Sequence, residues 1–220
     1  MVFMMFLSNR CSKSDYTFTD SKVTDNDGNV YKTVTIGTQV WMVENLKTTK
    51  YQNGDLIRTT NPATLDISTE ATPKYQWASN GNESNVNTYG RLYTWYAITD
   101  TRNVCQVGWH VPCDADWGTL TTFLDGESGA GGKLKEAGTT HWASPDVGAT
   151  NSSGFTALPG GGYNLNGTFF NIFATRLWWS STEYASTYAN SKGIDYSSNN
   201  VYGNGKDKRD GYSIRCLRDF

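Results

Sequence analysis

Hydrophobic and polar positions along this chain change rhythm several times, and each rhythm predicts a different element. Residues 25–46 open on a D-G turn and continue with Val30, Lys32, Val34 and Ile36 in alternation. Gly37-Thr38 then turns the chain and "QVWMVENL" returns, which predicts a β-hairpin. In "GRLYTWYAITD" (90–100), Leu92, Trp95, Tyr96 and Thr99 are spaced for one face of a short helix. The stronger helix signal is "PCDADWGTLTTFLDG" (112–126). There Trp117, Leu120, Thr121 and Leu124 recur at i, i+3, i+4 and i+7, Cys113 or Asp114 can cap, and Gly126 ends the run. "GGKLKEAG" reads as a second short element and residues 139–155 as loop. "GFTALPGGGYNLNGTFF" reads as a glycine-rich turn between apolar stretches. The last fifty residues alternate strand-like runs with N-G, N-N and D-G turns. They close on "GYSIRCLRDF", in which Tyr212, Ile214, Cys216 and Leu217 read as one final strand.

Composition agrees with a loop-rich α+β chain of short strands. Among 220 residues there are 22 Gly, 8 Trp and 13 Tyr, with 18% charged residues. Large aromatic side chains can pin irregular backbone, and eight tryptophans argue against disorder. A formal net charge of −2 without a basic stripe excludes a general nucleic-acid surface. No repeat or linker interrupts residues 23–220, so one domain is expected there. Residues 1–22 differ: "MVFMMFLSNRCSKSD" is an apolar run followed by Cys11, the arrangement at the end of a lipoprotein export signal. A basic stretch ahead of it is missing, and Asn9-Arg10 stand where small residues are usual. The expectation is export, to the cell envelope or beyond, with Cys11 as the candidate lipidation site and sole membrane anchor.

Candidate chemistry concentrates in "GWHVPCDADW" (108–117), and most of it dissolves on inspection. His110 and Cys113 do not supply the three or four convergent ligands that zinc requires. Cys113 could pair with His110 as a nucleophile, but no third orienting partner can be named. Asp114 and Asp116 stand two apart on a helix and diverge, so they are no acid/base pair. Capping and packing account for every residue type in the cluster. "LPGGGYNLNG" lacks the lysine and following helix of a phosphate loop. With Cys11 set aside, Cys105, Cys113 and Cys216 remain; the expected pair is Cys105–Cys216, leaving Cys113 over.

Residues 180–212, "SSTEYASTYANSKGIDYSSNNVYGNGKDKRDGY", are rich in Tyr, Ser, Asn and Asp, the composition of adaptable recognition surfaces. Tyr184, Tyr188, Tyr196, Asn199, Asn200, Tyr202 and Asn204 are the candidate contacts for a glycan or protein ligand. Solvated hairpins rich in turn residues would have the same composition. Trp178 and Trp179, just upstream, read as core.

Several segments in order complete the picture: "DGNVYKTVTIGTQVWMVENLKTTKYQNGDLI", "YGRLYTWYA", "VCQVGWHVPCDADWGTL", "FTALPGGGY", "WWSSTEY" and "GYSIRCLRD". Together they resemble the Fibrobacter succinogenes major paralogous domain, from about Val23 to Asp219. That family is similar to C-type-lectin-like folds and to the formylglycine-generating enzymes. The resemblance implies a C-type-lectin-like α+β fold of short twisted hairpins, one or two helices and long loops. It implies scaffold roles for Trp109, Pro112 and Trp117, and it matches the family's usual cysteines to Cys105 and Cys216. Cys113 departs from it, since a small polar residue is usual there. The enzymes' redox cysteines are missing between Cys113 and Cys216, so no activity carries over. The E-P-N, Q-P-D and W-N-D segments of calcium-dependent lectins are missing too. Glu183, Asp195 and Asp207 could contribute to a calcium site without their spacing demanding one. Lectin-like proteins diversified by retroelements vary a similar segment before the closing strand.

The resulting expectation is a non-enzymatic exported binding domain using the 180–212 hairpins. The alternatives are a self-assembling adhesive component, a retroelement-diversified receptor, or an enzyme using Cys113 or His110 in a pocket. Replacing Tyr184 or Tyr202 is expected to weaken binding without unfolding the domain.

Overall fold

The computed structural model describes residues 22–219, so Cys11 and the export-like segment lie outside it. Thirteen short strands and four short helices follow one another in these residues. The chain begins with β1 (Lys22–Thr24), β2 (Val30–Ile36), β3 (Gln39–Met42) and β4 (Gln76–Ala78). Next come α1 (Val86–Tyr89), β5 (Arg91–Thr94), α2 (Trp95–Ile98), β6 (Trp109–His110), α3 (Asp114–Phe123) and α4 (Glu127–Leu134). The second half is all strand: β7 (Gly160–Tyr163), β8 (Phe169–Ile172), β9 (Thr175–Glu183), β10 (Tyr188–Asp195), β11 (Tyr202–Asp207), β12 (Gly211–Tyr212) and β13 (Leu217–Arg218). The fold is α+β, mostly strand, in two sheets. A five-stranded sheet runs β1-β2-β3-β13-β6, and a larger one runs β11-β10-β9-β7-β12-β5-β4, with β8 also paired to β7. No helix among the described residues is long and apolar enough to cross a membrane.

The predicted hairpin forms as β2–β3, with Ile36 opposite Gln39 across Gly37-Thr38. Helix α3 also forms where its periodicity placed it: Trp117, Leu120 and Thr121 are buried, and Cys113 sits at the N-cap. Two other readings need correction. Residues 90–100 split into strand β5 and the single turn α2, because Arg91–Thr94 pair with both β4 and β12. Sheet pairing there overrides a helical spacing supported by only four residues. The closing segment is likewise two strands in two sheets, β12 beside β5 and β13 beside β3 and β6.

The glycine-rich run is a third correction, since Gly160–Tyr163 is buried strand β7 and not a turn. A Cβ on Gly161, whose φ is +63°, would come within 2.0 Å of the Phe170 carbonyl oxygen. One on Gly160 would strike the Arg176 guanidinium at 2.2 Å. The glycines therefore let β8 and a buried arginine close on the middle of the sheet. The turn itself follows at residues 164–168.

Strand β9 separates two apolar cores. Trp178 belongs to the one beneath the helices, with Trp117, Phe155, Leu120 and Ile194. Its neighbour Trp179 belongs to the other, with Tyr93, Met42, Trp109 and Tyr212. Successive strand residues point to opposite faces, so the adjacent tryptophans serve different cores. Both indole N–H groups are satisfied: Trp178 donates to Asn45 Oδ1 at 2.9 Å and Trp179 to the Tyr93 carbonyl at 2.7 Å. The Cys105–Cys216 disulfide forms, spanning 111 residues, while Cys113 remains a thiol.

Candidate functional site

Strand β10 is where sequence and sheet geometry together make a recess. Its pairing with β9 shifts register between Ala189 and Ser191. Such a bulge re-aims a side chain, and here the Asn190 amide donates to Asp114 Oδ2 at 2.6 Å, at the first turn of α3. Two residues on, Lys192 donates to Glu127 Oε1 at 3.0 Å, at the first turn of α4. The two helix starts thus stand over the β10–β11 hairpin and are tied to it by polar pairs. On β11 the facing positions are Gly203, Asn204 and Gly205. A Cβ on Gly205 would lie 2.7 Å from the Tyr184 ring, so the missing side chain is what lets that ring settle against the strand. The result is a groove of about 390 Å³ bordered by Tyr184, Asn190, Lys192, Asn204, Asp114 and Glu127.

Its polar groups are partly committed. Asp114 Oδ2 is taken by Asn190, but its Oδ1 is shielded from solvent and has no hydrogen-bond partner among the described residues. A carboxylate oxygen in that condition is costly unless a donor reaches it. Tyr184 is 68% exposed, an aromatic face beside these polar groups.

The seven candidate contacts do not converge. Tyr184 and Asn204 border the groove. Tyr188 is exposed at the same end of β10, opposite Asp207. Tyr196, Asn199 and Asn200 lie past the other end of β10, beside α4, where the Val201 N–H donates to the Glu127 carbonyl at 2.7 Å. There the Asn199 and Asn200 backbones pack on the glycines of α4, and Gly132 N–H donates to the Asn199 carbonyl at 3.2 Å. Tyr202 is a packing residue: its ring lies against Gly193 and the core beneath it, and burial pushes its hydroxyl up to about 12. The expectation that Tyr202 could be replaced without a structural cost is therefore withdrawn.

Asp114, Asn190, Lys192 and Glu127 were not among the sequence candidates, although each borders the groove. The carboxylates come from helix starts about seventy residues upstream of their hairpin partners, and the bulge that aims Asn190 leaves no trace in composition.

The three carboxylates considered for calcium do not gather either. Glu183 is bound by Lys208, and Asp207 is held by Arg209 with Nη2 at 2.7 Å from Oδ2. Asp195, at the opposite end of β10 from Asp207, accepts from the Ser197 N–H at 2.8 Å.

A family model described as the Fibrobacter succinogenes major domain matches residues 34–218. The chain belongs to that family. No curated protein and no solved structure matches it. The matched span of this Fibrobacter succinogenes major domain runs from β2 through β13 and contains the groove, both disulfide cysteines and the GWHVPCDADW cluster.

Within the family domain that cluster joins three parts of the chain. His110 Nδ1 lies 2.5 Å from Asp219 Oδ1, and Nε2 lies 3.2 Å from Asp116 Oδ2. Asp116 Oδ2 also accepts the Cys113 backbone N–H at 2.9 Å, which fixes the start of α3. Burial alone would lower the His110 pKa, but hydrogen bonds to both carboxylates outweigh it and raise it above the ordinary histidine value. Burial likewise opposes ionisation of Asp116, yet His110 and Cys113 hold it down to about 2. Asp114 and Asp116 do diverge: one turns to the groove, the other to His110.

Proposed function

We propose that this domain is a non-enzymatic binding module, C-type-lectin-like in architecture and displayed outside the cytoplasm, that holds a glycan in the groove over β10 and β11. The observation that carries this reading is the juxtaposition at the groove. An exposed tyrosine ring lies against Gly205 of β11, next to a carboxylate–amide pair from Asp114 and Asn190. Aromatic faces pack on the apolar faces of sugar rings, while paired carboxylate and amide groups suit vicinal hydroxyls. The polar groups are already oriented by their mutual hydrogen bonds, so little ordering cost falls on binding. Lectin-like architecture is supported by the ordered GWHVPCDADW and GYSIRC segments, and display outside the cytoplasm by the apolar run before Cys11 and by the disulfide.

A glycan array screened with residues 23–220, with calcium and with a chelator, tests the proposal. Reproducible hits that disappear in both Tyr184→Ala and Asn190→Ala are the expected result. Hits that survive both substitutions would remove the groove from the reading. A blank array with concentration-dependent self-association would replace it with the adhesive alternative.

A further inference from the structure

A second recess lies at the other end of the large sheet, and its lining has a different chemistry. β11 is one edge of that sheet and β4 the other, so about six strand spacings, roughly 29 Å, separate them. Beside β4, Arg58 bridges to Tyr75 in parallel fashion, and the segments around them enclose about 330 Å³. This is within the lower range of ligand pockets, about 300–1,000 Å³. Tyr51 and Pro73 are buried in its floor, the half-buried Tyr75 forms a wall, and Leu56, 68% exposed, forms a lip.

Three cations and one carboxylate line it: Arg58, Lys74 and Arg102 against Glu70. Two of the cations are fixed by an acid outside the lining. Asp100, only 8% exposed, takes Lys74 Nζ and Arg102 Nη2, each at 2.8 Å. The Arg102 guanidinium is also stacked 4.0 Å from the Tyr51 ring centroid. Glu70 accepts the Tyr75 hydroxyl at 3.1 Å. Arg58 is the exception: it is exposed and its guanidinium forms no ion pair among the described residues. Arg102 also pairs with Asp55 at 3.0 Å, so the ionised groups in and around the recess balance, and Arg58 is left as the lining cation with no ion pair among the described residues, beside aromatic and apolar walls.

We infer that this recess is a second binding site, for a carboxylate-bearing sugar ring, with Arg58 engaging the carboxylate and the Tyr75–Leu56 side covering the ring. Guanidinium matches carboxylate bidentately, and Arg58 has no ion pair among the described residues to give up. Ring-covering walls favour a pyranose acid over a flexible acidic side chain. The site goes beyond the groove reading, for it shares no residue with the groove and its ligand is anionic.

Isothermal titration of residues 23–220 provides the test, with trigalacturonate and sialyllactose as acidic probes. Galactotriose and lactose are their neutral counterparts, and a tri-glutamate peptide controls for charge. Saturable binding of at least one acidic probe is expected, lost with its neutral counterpart and with the peptide. Arg58→Ala is expected to weaken it roughly tenfold or more, the usual effect of losing a charged hydrogen bond. Arg58→Lys should restore part of it, and Tyr184→Ala should leave it unchanged. Because Arg58 is exposed, its variants should keep the parent melting temperature. No binding by either acid, equal binding by neutral sugar in the Tyr184→Ala variant, equal binding by the peptide, or an unchanged affinity in Arg58→Ala would each overturn the site. None of these outcomes bears on the groove, whose readout is Tyr184→Ala and Asn190→Ala.

Discussion

Asp210 is 8% exposed and has no ion-pair partner among the described residues, only the Leu165 N–H at 3.0 Å and the Tyr212 hydroxyl at 3.1 Å. Burial pushes its pKa up to about 6 from the ordinary 3.8, with those two hydrogen bonds holding it back. Between the two values the folded chain binds a proton that the unfolded chain has released. Stability from this group is therefore gained as pH falls through 6 and is complete below 3.8. His110 acts in the same direction: its raised pKa gives stability that is fully present below the ordinary histidine value and is lost as pH rises through the folded one. Asp116, held down to about 2, gives way only as pH falls from 3.8 toward 2. The melting temperature is accordingly expected to rise from pH 8 to a maximum near about pH 5. A scan that peaks at or above neutrality would contradict these assignments. Asp210→Asn keeps an acceptor for Leu165 and should stabilise the protein at pH 7.5 by about 1–3 kcal/mol, read from the urea midpoint.

Elements with their own local signal were legible in the sequence. The β2–β3 hairpin had alternation and a two-residue turn; α3 had two turns of apolar spacing, an N-cap and a terminating glycine. Elements defined by distant partners were not legible. β7 is a run of glycines whose strand conformation depends on Phe170 and Arg176 arriving from later in the chain. β5 carries a helical spacing but lies between β4 and β12. The candidate site follows the same division. Tyr184 and Asn204 were visible in the composition of residues 180–212, whereas Asp114 and Glu127 reach the groove only through the packing of α3 and α4 on β10. Tyr202 was misjudged because an exposed-looking tyrosine in a turn-rich segment faces Gly193, whose missing side chain admits its ring to the core. Tyr202→Ala should cost about 2–4 kcal/mol, measured by urea denaturation, comparable to other large-to-small core changes. Gly161→Ala should also be poorly tolerated, since the new Cβ meets a backbone carbonyl and the backbone is left-handed there. A soluble Gly161→Ala variant with the parent melting temperature would mean that β8 does not close as described.

For the molecule as a whole, one covalent tie and several buried cations hold long connections in place. The disulfide joins the loop after α2 to the link between β12 and β13, closing a loop of 111 residues. In the chain-entropy model that is worth about 4–5 kcal/mol. Cys216→Ser, or reduction of the native protein, should lower the unfolding free energy measured by urea denaturation by an amount of that order. Lys135 does comparable work without a covalent bond. It is fully buried, pairs with Asp146 at 2.9 Å and donates to the carbonyls of Val147, Asp195 and Ser198 at 2.8–3.1 Å. The loop of residues 139–155 is thereby fastened to the far end of β10, and Lys135→Met should loosen both. Faster proteolysis within residues 139–155 and around residues 195–198, at an unchanged rate elsewhere, is the expected signature.

Trp178 and Trp179 give strand β9 one further property. A wall shared by two cores cannot leave one without leaving the other, because any slip or fraying of β9 exposes both indoles together. The two halves of the molecule are coupled through a single strand and should lose their structure in one cooperative step. The slowest-exchanging amides should cluster along β9, opening only with the free energy of global unfolding.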